Sequence, residues 1–556
     1  MTDTTTAAPA SSQRVNVDTG KGTPTNPVWV REMRQFARLT RTPVLLMTVT
    51  MLTALFFCAI GGVASHATTP ASTGVALFHG FFSVAFFGVA FAGPAMAANS
   101  IASEREGRTW EALLLTGLSP TVVARGKFLA AFTHVALYLV MLAPVGALPF
   151  LFGGVTATEV ISAYLWLFVL AALAVAFGLA VSSKMETMRS AILVTLLVAF
   201  FLVPPAFGLL GPALSIAAHA AWPEVPEGPP VWLPTAYARA SFSWEYVGAL
   251  IAAPIAASAL PAWFFYEATV ANLTSVTEDR STGLRRWFVV TTLVLAVGGM
   301  VFVVGAPRGD QAVHAAIAQS ILFVFLVFVA FVFAGEPIGP SRRVLARWDR
   351  EEASWLARTL GPGVMRAALT LLAVGVLAQA SLMTVSLASL AIGPRPRPAD
   401  VASVVIVGGY AASFMVFLAG FGAFVRARSN LATTTRVMLL VLLFGVGAGP
   451  WILAAIAGAV RHDEGMLVAA PSPIFALVAA ADVRRALMTT RHAEMIASIA
   501  MSAVWALAGL VLLARAGSRC RAIVHAHDEA LRAGDAMLAA EDAALLAPPA
   551  PAAGDV

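Results

Sequence analysis

Charge is scarce in this chain. Asp, Glu, Lys and Arg make up only 12% of its 556 residues, while 59% are hydrophobic; a soluble domain carries about 25% charged residues. That shortage, with long apolar runs, excludes a single large soluble core and points to a polytopic membrane protein. Cysteine is scarcer still. Cys58 falls in an apolar run and Cys520 in a basic stretch, which excludes a disulfide framework and a thiolate metal cluster. Short alternating strands are missing, which excludes a β-barrel. Backbone groups in lipid must then be satisfied within each segment, so the spans are helices. An apolar leader is missing too. Residues 1–27 are polar, rich in Thr, Ser and Pro, and read as a disordered cytoplasmic tail rather than a cleaved signal. The end, LLAPPAPAAGDV, has the same disordered character.

What is present is a series of apolar runs, near 42–63, 75–100, 128–152, 160–182, 190–212, 246–270, 287–306, 312–334, 366–392, 401–425, 437–459 and 494–514. Each is near the roughly 20 residues that cross a bilayer. They predict an all-α fold of about twelve transmembrane helices. Proline interrupts the fifth and eleventh runs, at Pro204, Pro205 and Pro450. Twelve spans put both termini on one side. The loops assigned to the outer side hold Arg239, Arg308, Arg395, Arg397, Arg461, Arg484, Arg485 and Arg491, eight of the 36 Lys and Arg, leaving 28 for the other side. Basic loops stay in the cytoplasm. Both termini are therefore expected there, with the chain in the cytoplasmic (inner) membrane. These loops account for the net charge of +6, and no nucleic-acid partner is expected.

The chain reads as duplicated. Six spans in 28–270 and six in 271–515 follow one order of loop types, before a cytoplasmic tail at 516–556. The second cytoplasmic element of the first half, EREGRTWEALL from Glu104, is matched by RRVLARWDREEASWLARTLGPG from Arg342. Glu106 falls on Glu351, Thr109 on Ser354 and Trp110 on Trp355. Short loops follow, SSKMETMRS from Ser182 and RARSNLATTTR from Arg426. Before each half's last span comes a Pro-led stretch, WLPTAYARASF from Trp232 and PSPIFALVAAADV from Pro471, too short to span and expected at the outer surface. Six spans per half make the repeats parallel, related by a pseudo-two-fold axis.

One segment between spans stands out as polar: SEREGRTWEALLLTGLSPTVVARGK, Ser103–Lys127. Glu104 and Arg108 are four apart in the favourable order for a helical ion pair, and Glu111 lies three beyond. Trp110, Leu113 and Leu114 fall on the other side, with Leu118 near them, so an amphipathic helix is expected. Glu104 and Glu106 near its start suit the helix dipole. Gly117 is placed to end it. Ser119 and Pro120 are an N-cap and first position for the next span. The residues leave two readings open: an interfacial anchor with Trp110 at the headgroups, or a docking helix for a cytoplasmic partner.

The run Glu104-Arg105-Glu106-Gly107-Arg108-Thr109-Trp110-Glu111, then Leu113-Leu114-Leu115, Gly117-Leu118-Ser119-Pro120 and Gly126-Lys127, resembles the permeases of ABC-2-type transporters. The likeness is closest to the branch described as permeases related to multi-copper enzyme maturation. The motif covers about 25 residues, and the six-span layout with a basic amphipathic helix at Val28–Arg41 extends the likeness over the first half. The resemblance implies that this segment is a coupling helix docked into an ATPase subunit. It implies ATPase-coupling roles for Glu104, Arg105, Glu106, Arg108, Thr109, Glu111, Ser119, Pro120 and Lys127, and for Glu351 and Glu352 in the second half. There the leucine run and the Leu-Ser-Pro turn are absent, which makes that element the weaker lever. The resemblance further implies an exporter whose substrates span drugs, polysaccharides, lipids, peptides and ions.

Such a permease needs ATP hydrolysis. A phosphate loop requires Gly-x-x-x-x-Gly-Lys-Ser/Thr, but Phe128 follows Gly126-Lys127, and Thr121 stands where the first glycine belongs. The chain is expected to be no enzyme and to hold no cofactor. ATP-Mg is expected in a separate cytosolic ABC ATPase, two copies on one permease, with the lipid bilayer and a further permease or periplasmic protein as the other candidate partners. The rivals are an ion-coupled secondary transporter and a non-transporting scaffold that docks an ATPase. Ion coupling wants ionisable groups deep in the membrane; His79, His134, Glu159 and Glu267 are few and better read as packed or interfacial. His525, His527, Asp528 and Glu529 read as a solvated face, and His492 and Glu494 as an outer-loop edge. Pro394-Arg395-Pro396-Arg397-Pro398 reads as a stiff outer turn. Neither His-Glu-x-x-His nor Gly-x-Ser-x-Gly occurs.

Overall fold

The computed structural model describes residues 25–38, 41–64, 69–392, 397–429, 431–460, 465–485 and 490–546. Among them every regular element is a helix. In chain order these are α1 (Pro27–Arg38), α2 (Arg41–Ala64), α3 (Pro70–Glu106), α4 (Trp110–Leu115), α5 (Pro120–Phe152), α6 (Ala157–Lys184), α7 (Met188–Pro205), α8 (Gly211–Ala221), α9 (Leu233–Arg239) and α10 (Ala253–Leu273). Then come α11 (Thr282–Val304), α12 (Gln311–Phe333), α13 (Arg342–Arg350), α14 (Trp355–Thr359), α15 (Val364–Ala391), α16 (Pro398–Arg428), α17 (Ala432–Val460), α18 (Pro473–Arg485) and α19 (Thr490–Leu546).

Eleven helices among the described residues are long and apolar enough to cross a membrane. The chain is an all-helical polytopic membrane protein. The eleven coincide with the second to twelfth expected runs; the first, 42–63, falls in α2, whose described apolar part is Thr50–Ala59. The prolines of the fifth run do not end it. Pro204 and Pro205 lack the donors that would close regular turns, and the helix passes through π turns at Ala206–Leu210 before resuming as α8. The Pro394–Pro396 stretch lies outside the described residues.

Contacts divide the chain into two compact units, 1–203 and 204–556. The expected halves follow the order of loops, whereas the units follow packing. The sixth span therefore belongs by sequence to the first half and by contact to the second unit. There Trp287 Nε1 donates to the Leu260 carbonyl at 2.8 Å, and Phe264 packs on Trp287. In the first unit α3, α5 and α6 form the core, and a Cβ at Gly178 would lie 2.1 Å from the Pro94 carbonyl oxygen. In the second unit α16 is central, with 61% of its most apolar window buried. It crosses α19 where Gly420 meets Gly509; a Cβ on Gly420 would lie 2.3 Å from the Gly509 carbonyl oxygen. Small residues at such crossings let backbones close on one another in lipid.

The two Pro-led stretches behave differently. The first forms α9 and sits at helix ends as expected: Ala236 packs with Ala218 and Trp222, where α8 stops, and with Leu250, near the start of the next span. The second corrects the surface expectation. Its turn at Ala470–Ser472 lies level with the middles of α16 and α17 and with the apolar part of α19. Tyr410 Oη of α16 donates to the Ala470 and Pro471 carbonyls at 3.0 and 2.7 Å. Ser472 Oγ donates to the Gly447 carbonyl of α17 at 2.9 Å and accepts from Trp451 Nε1 at 3.1 Å. Trp505 of α19 donates to Tyr410 Oη at 2.9 Å. The chain thus dips into the bundle at Gly465–Ala469 and returns as α18. Non-helical backbone at that depth survives because these side chains satisfy it within protein.

The last helix also outruns the bilayer. α19 has 57 residues, about 85 Å at 1.5 Å per residue, against a hydrocarbon core of about 30 Å. Its far part carries the exposed pair His525–Glu529, consistent with a solvated face.

Candidate coupling site

The Ser103–Lys127 segment comprises the end of α3, the short α4 and the start of α5, not one amphipathic helix from Glu104. α3 continues to Glu106 and is capped at Gly107; Arg108 then takes a left-handed backbone, φ +55°. The Thr109 amide and hydroxyl both donate to the Glu104 carbonyl, at 2.9 and 3.3 Å, and α4 starts at Trp110. The break separates Glu104 from Arg108, so the expected i,i+4 pair does not form. The end of the segment follows expectation. Gly117 has φ +70°, the Ser119 hydroxyl accepts from the Val122 amide, and Pro120 opens α5.

The charged residues fall into two sets. Glu104 and Lys127 face inward. The Lys127 side chain is 2% exposed. Its ammonium donates to Glu32 Oε1 of α1 at 2.8 Å and to the Ser100 carbonyl at 3.1 Å, and it pairs with Glu104 Oε1 at 2.8 Å. Three donors meet three acceptors. Arg31 of α1 pairs with both Glu32 and Glu104. Two cations and two carboxylates thus tie α1, α3 and α5 together at the root of α4. Arg105 and Glu106 also serve the chain itself. Arg105 donates to the Met185 carbonyl at 3.3 Å and lies over the Trp110 ring at 5.6 Å. Glu106 accepts from the Met188 amide at 2.9 Å, capping the start of α7, where a carboxylate suits the helix dipole. The outward set is Arg108, Thr109, Glu111 and Ser119, all exposed. Leu113 is buried, but Leu115 at the end of α4 is 88% exposed.

Burial works against the charge of Glu32, but Lys127 and then Arg31 outweigh it and hold the carboxyl below its ordinary 4.5. A lowered folded-state value gives stability that is present above about pH 4.5 and lost as pH falls below it. Acidification through that range should release α1 before the spans loosen. Hydrogen exchange of residues 27–38 against pH checks this; exchange flat down to pH 3 would count against the cluster.

The second element repeats the construction. α13 ends at Glu351, Glu352 is left-handed at φ +44°, and Ser354 caps α14, which starts at Trp355. The aligned pairs Thr109/Ser354 and Trp110/Trp355 therefore fall at the same structural positions. Gly363, φ +142°, precedes α15 as Gly117 precedes α5. Glu351 pairs with Arg347 at 3.0 Å, both exposed. The Leu-Ser-Pro turn is replaced by another device. Arg285, at 0% exposure, donates to the carbonyls of Thr359 (3.3 Å), Gly361 and Gly363 (3.1 Å) and pairs with Glu336 at 3.2 Å. Glu336 in turn accepts from Ser281 Oγ at 2.7 Å and the Gly363 amide at 3.3 Å. α14 offers Trp355, 79% exposed, and Leu356, 57% exposed.

Sequence reasoning assigned no role to Arg31, Glu32, Arg285 or Glu336. Apart from the adjacent Arg31 and Glu32, their partners lie 27 to 95 residues away, and the available signal was charge standing beside apolar runs. The other singled-out residues are structural. Thr156 and Glu159 form a capping box, Glu267 accepts from Trp263 Nε1 at 3.0 Å, and His134 stacks on Phe36. No group of three metal-ligating side chains occurs among the described residues. No family model matches the chain, and no curated protein matches it.

Proposed function

We propose that this chain is the permease subunit of an ATP-driven ABC exporter in the cytoplasmic membrane, both termini cytoplasmic, coupled to two copies of a separate ATPase. The observation that carries the reading is that two short helices of one construction, α4 and α14, each hold large apolar side chains exposed at the end of a buried ionic lock. Tryptophan and arginine are the side chains most enriched at the centres of docking contacts. A rigid root is what a lever needs: movement imposed on the tip of α4 reaches α1, α3 and α5 through Lys127 rather than being absorbed in a loop. Binding that differs between two states of the ATPase pair then shifts the spans between two states. On this reading Glu111, Arg108, Leu115, Trp355 and Leu356 make the contact. Glu104 and Lys127 transmit it, and Arg105 and Glu106 position the turn. The sequence repeat supports a two-lever permease of two six-span halves.

The pairing of charged groups weighs against an ion-coupled carrier. Lys127, Arg285 and Glu159 all stand near helix ends with partners, rather than alone at mid-depth. Glu111→Arg with Leu115→Asp should lower recovery of the phosphate-loop ATPase on affinity-purified chain by more than about tenfold, with the elution profile of the chain unchanged. Equal recovery would end the docking assignment of α4. Substrate uptake driven by a pH or sodium gradient without ATP would support the carrier instead.

A further inference from the structure

Two glutamines lie in the core of the second unit with nothing to bond. Gln319 of α12 is 0% exposed and Gln379 of α15 is 1% exposed, and neither the oxygen nor the nitrogen of either amide has a hydrogen-bond partner among the described residues. Both stand well inside membrane-length helices. Gln379 is at the middle of α15, and Gln319 is eight residues from the start of α12. The register brings them near one level. Gly299 meets both Ala318 and Leu382, and Gly375 meets Leu326, so α12 and α15 run antiparallel with 318 opposite 382 and 326 opposite 375. The two glutamines therefore fall within about one helical turn of each other along this seam. The third wall is α16. A Cβ on Gly408 would lie 3.0 Å from the Met383 sulfur and 3.1 Å from Gln319 Nε2; the glycine lets the α16 backbone approach the amide closely. In lipid an unsatisfied amide is costly, and a leucine of similar volume would avoid the cost. Four unpaired amide atoms at one depth are the mark of a site that another molecule completes.

We propose that Gln319 and Gln379 form a ligand site at bilayer mid-depth that takes an uncharged hydrogen-bonding group, a hydroxyl or an amide. Each amide offers both a donor and an acceptor, which suits such a group. No Asp, Glu, Lys or Arg stands on α12 or α15 near this level, so nothing there compensates an ion. The site is independent of the docking surfaces, and it locates a polar step of a solute pathway inside the second unit.

The test uses the full chain in liposomes with Cys58 and Cys520 replaced by serine. Gln319→Cys and Gln379→Cys are treated with neutral hydroxyethyl methanethiosulfonate and with its cationic trimethylammonium-ethyl counterpart. The control is Leu377→Cys, on the same helix and 70% exposed on the surface of the bundle. Only a hydrated thiol ionises to the reactive thiolate, so both glutamine positions should react with the neutral reagent at least about tenfold faster than the control, and more slowly with the cation. Reaction no faster than at position 377 means a sealed core and overturns the proposal. Equal rates with both reagents mean an open aqueous channel with no preference for uncharged groups, which overturns it as well. Should either glutamine variant fail to assemble, Met383→Cys reports on the same space beside Gly408.

Discussion

Replacing Lys127 by methionine should destabilise the protein by about 3–5 kcal/mol, the usual result of removing one partner from a buried ion pair. Against a total folding stability of about 5–15 kcal/mol, that is a large fraction. The reason is the geometry at the root of α4. Glu32 and Glu104 place carboxylate oxygens on one ammonium, each at 2.8 Å, and Glu104 is only 13% exposed. Without Lys127 two like charges face each other with Arg31 alone between them. Methionine preserves the volume of the side chain, so the loss is electrostatic rather than a cavity. A lower thermal unfolding midpoint in detergent is the expected result, and pairing Lys127→Met with Glu104→Gln should restore part of it, because the uncompensated charge is then gone. An unchanged midpoint would mean that the lysine is not the tie between α1, α3 and α5.

Arg285 is the corresponding case in the second unit. Its guanidinium reaches three carbonyls, of Thr359, Gly361 and Gly363, besides Glu336. Arg285→Met should cost about 3–5 kcal/mol, since Glu336 would be left buried without its cation. Arg285→Lys is the sharper variant. A lysine keeps the charge but not the planar fork that serves several acceptors at once, so it should hold Glu336 and lose the turn. Hydrogen exchange over 355–363 should then rise while the midpoint falls by less than in the methionine variant. Equal protection in wild type and Arg285→Lys would show that the charge alone holds α14 in place.

Local chemistry was legible in the sequence wherever the deciding residues are neighbours. Apolar runs found eleven helices long enough to cross the membrane. Gly117, Ser119 and Pro120 marked a stop, a cap and a start that the structure reproduces. The alignment of Trp110 with Trp355 found the first residues of α4 and α14. Reading failed where tertiary partners override local pattern. Glu104 was matched to Arg108 because helical spacing favours the pair. The chain instead turns left-handed at Arg108 and gives Glu104 to Arg31 and Lys127. Length and polarity put the stretch from Pro471 at the surface. Its depth depends on Tyr410, Trp451 and Trp505, polar edges in otherwise apolar helices that lie far from it in sequence. Arg285 counted only toward the charge asymmetry of the loops, since nothing nearby in sequence reveals the carbonyls it gathers.

The claim that α4 and α14 are levers on an ATPase, rather than anchors resting on headgroups, is tested most directly by photo-cross-linking from the tips. A photoreactive amino acid at position 115, and separately at 355, would be activated in intact cells and the adducts identified by mass spectrometry. Position 148, in α5, serves as the control. Positions 115 and 355 should capture the same phosphate-loop ATPase, and 148 should not. Adducts to lipid alone at both tips would contradict it, and the two helices would then be interfacial anchors.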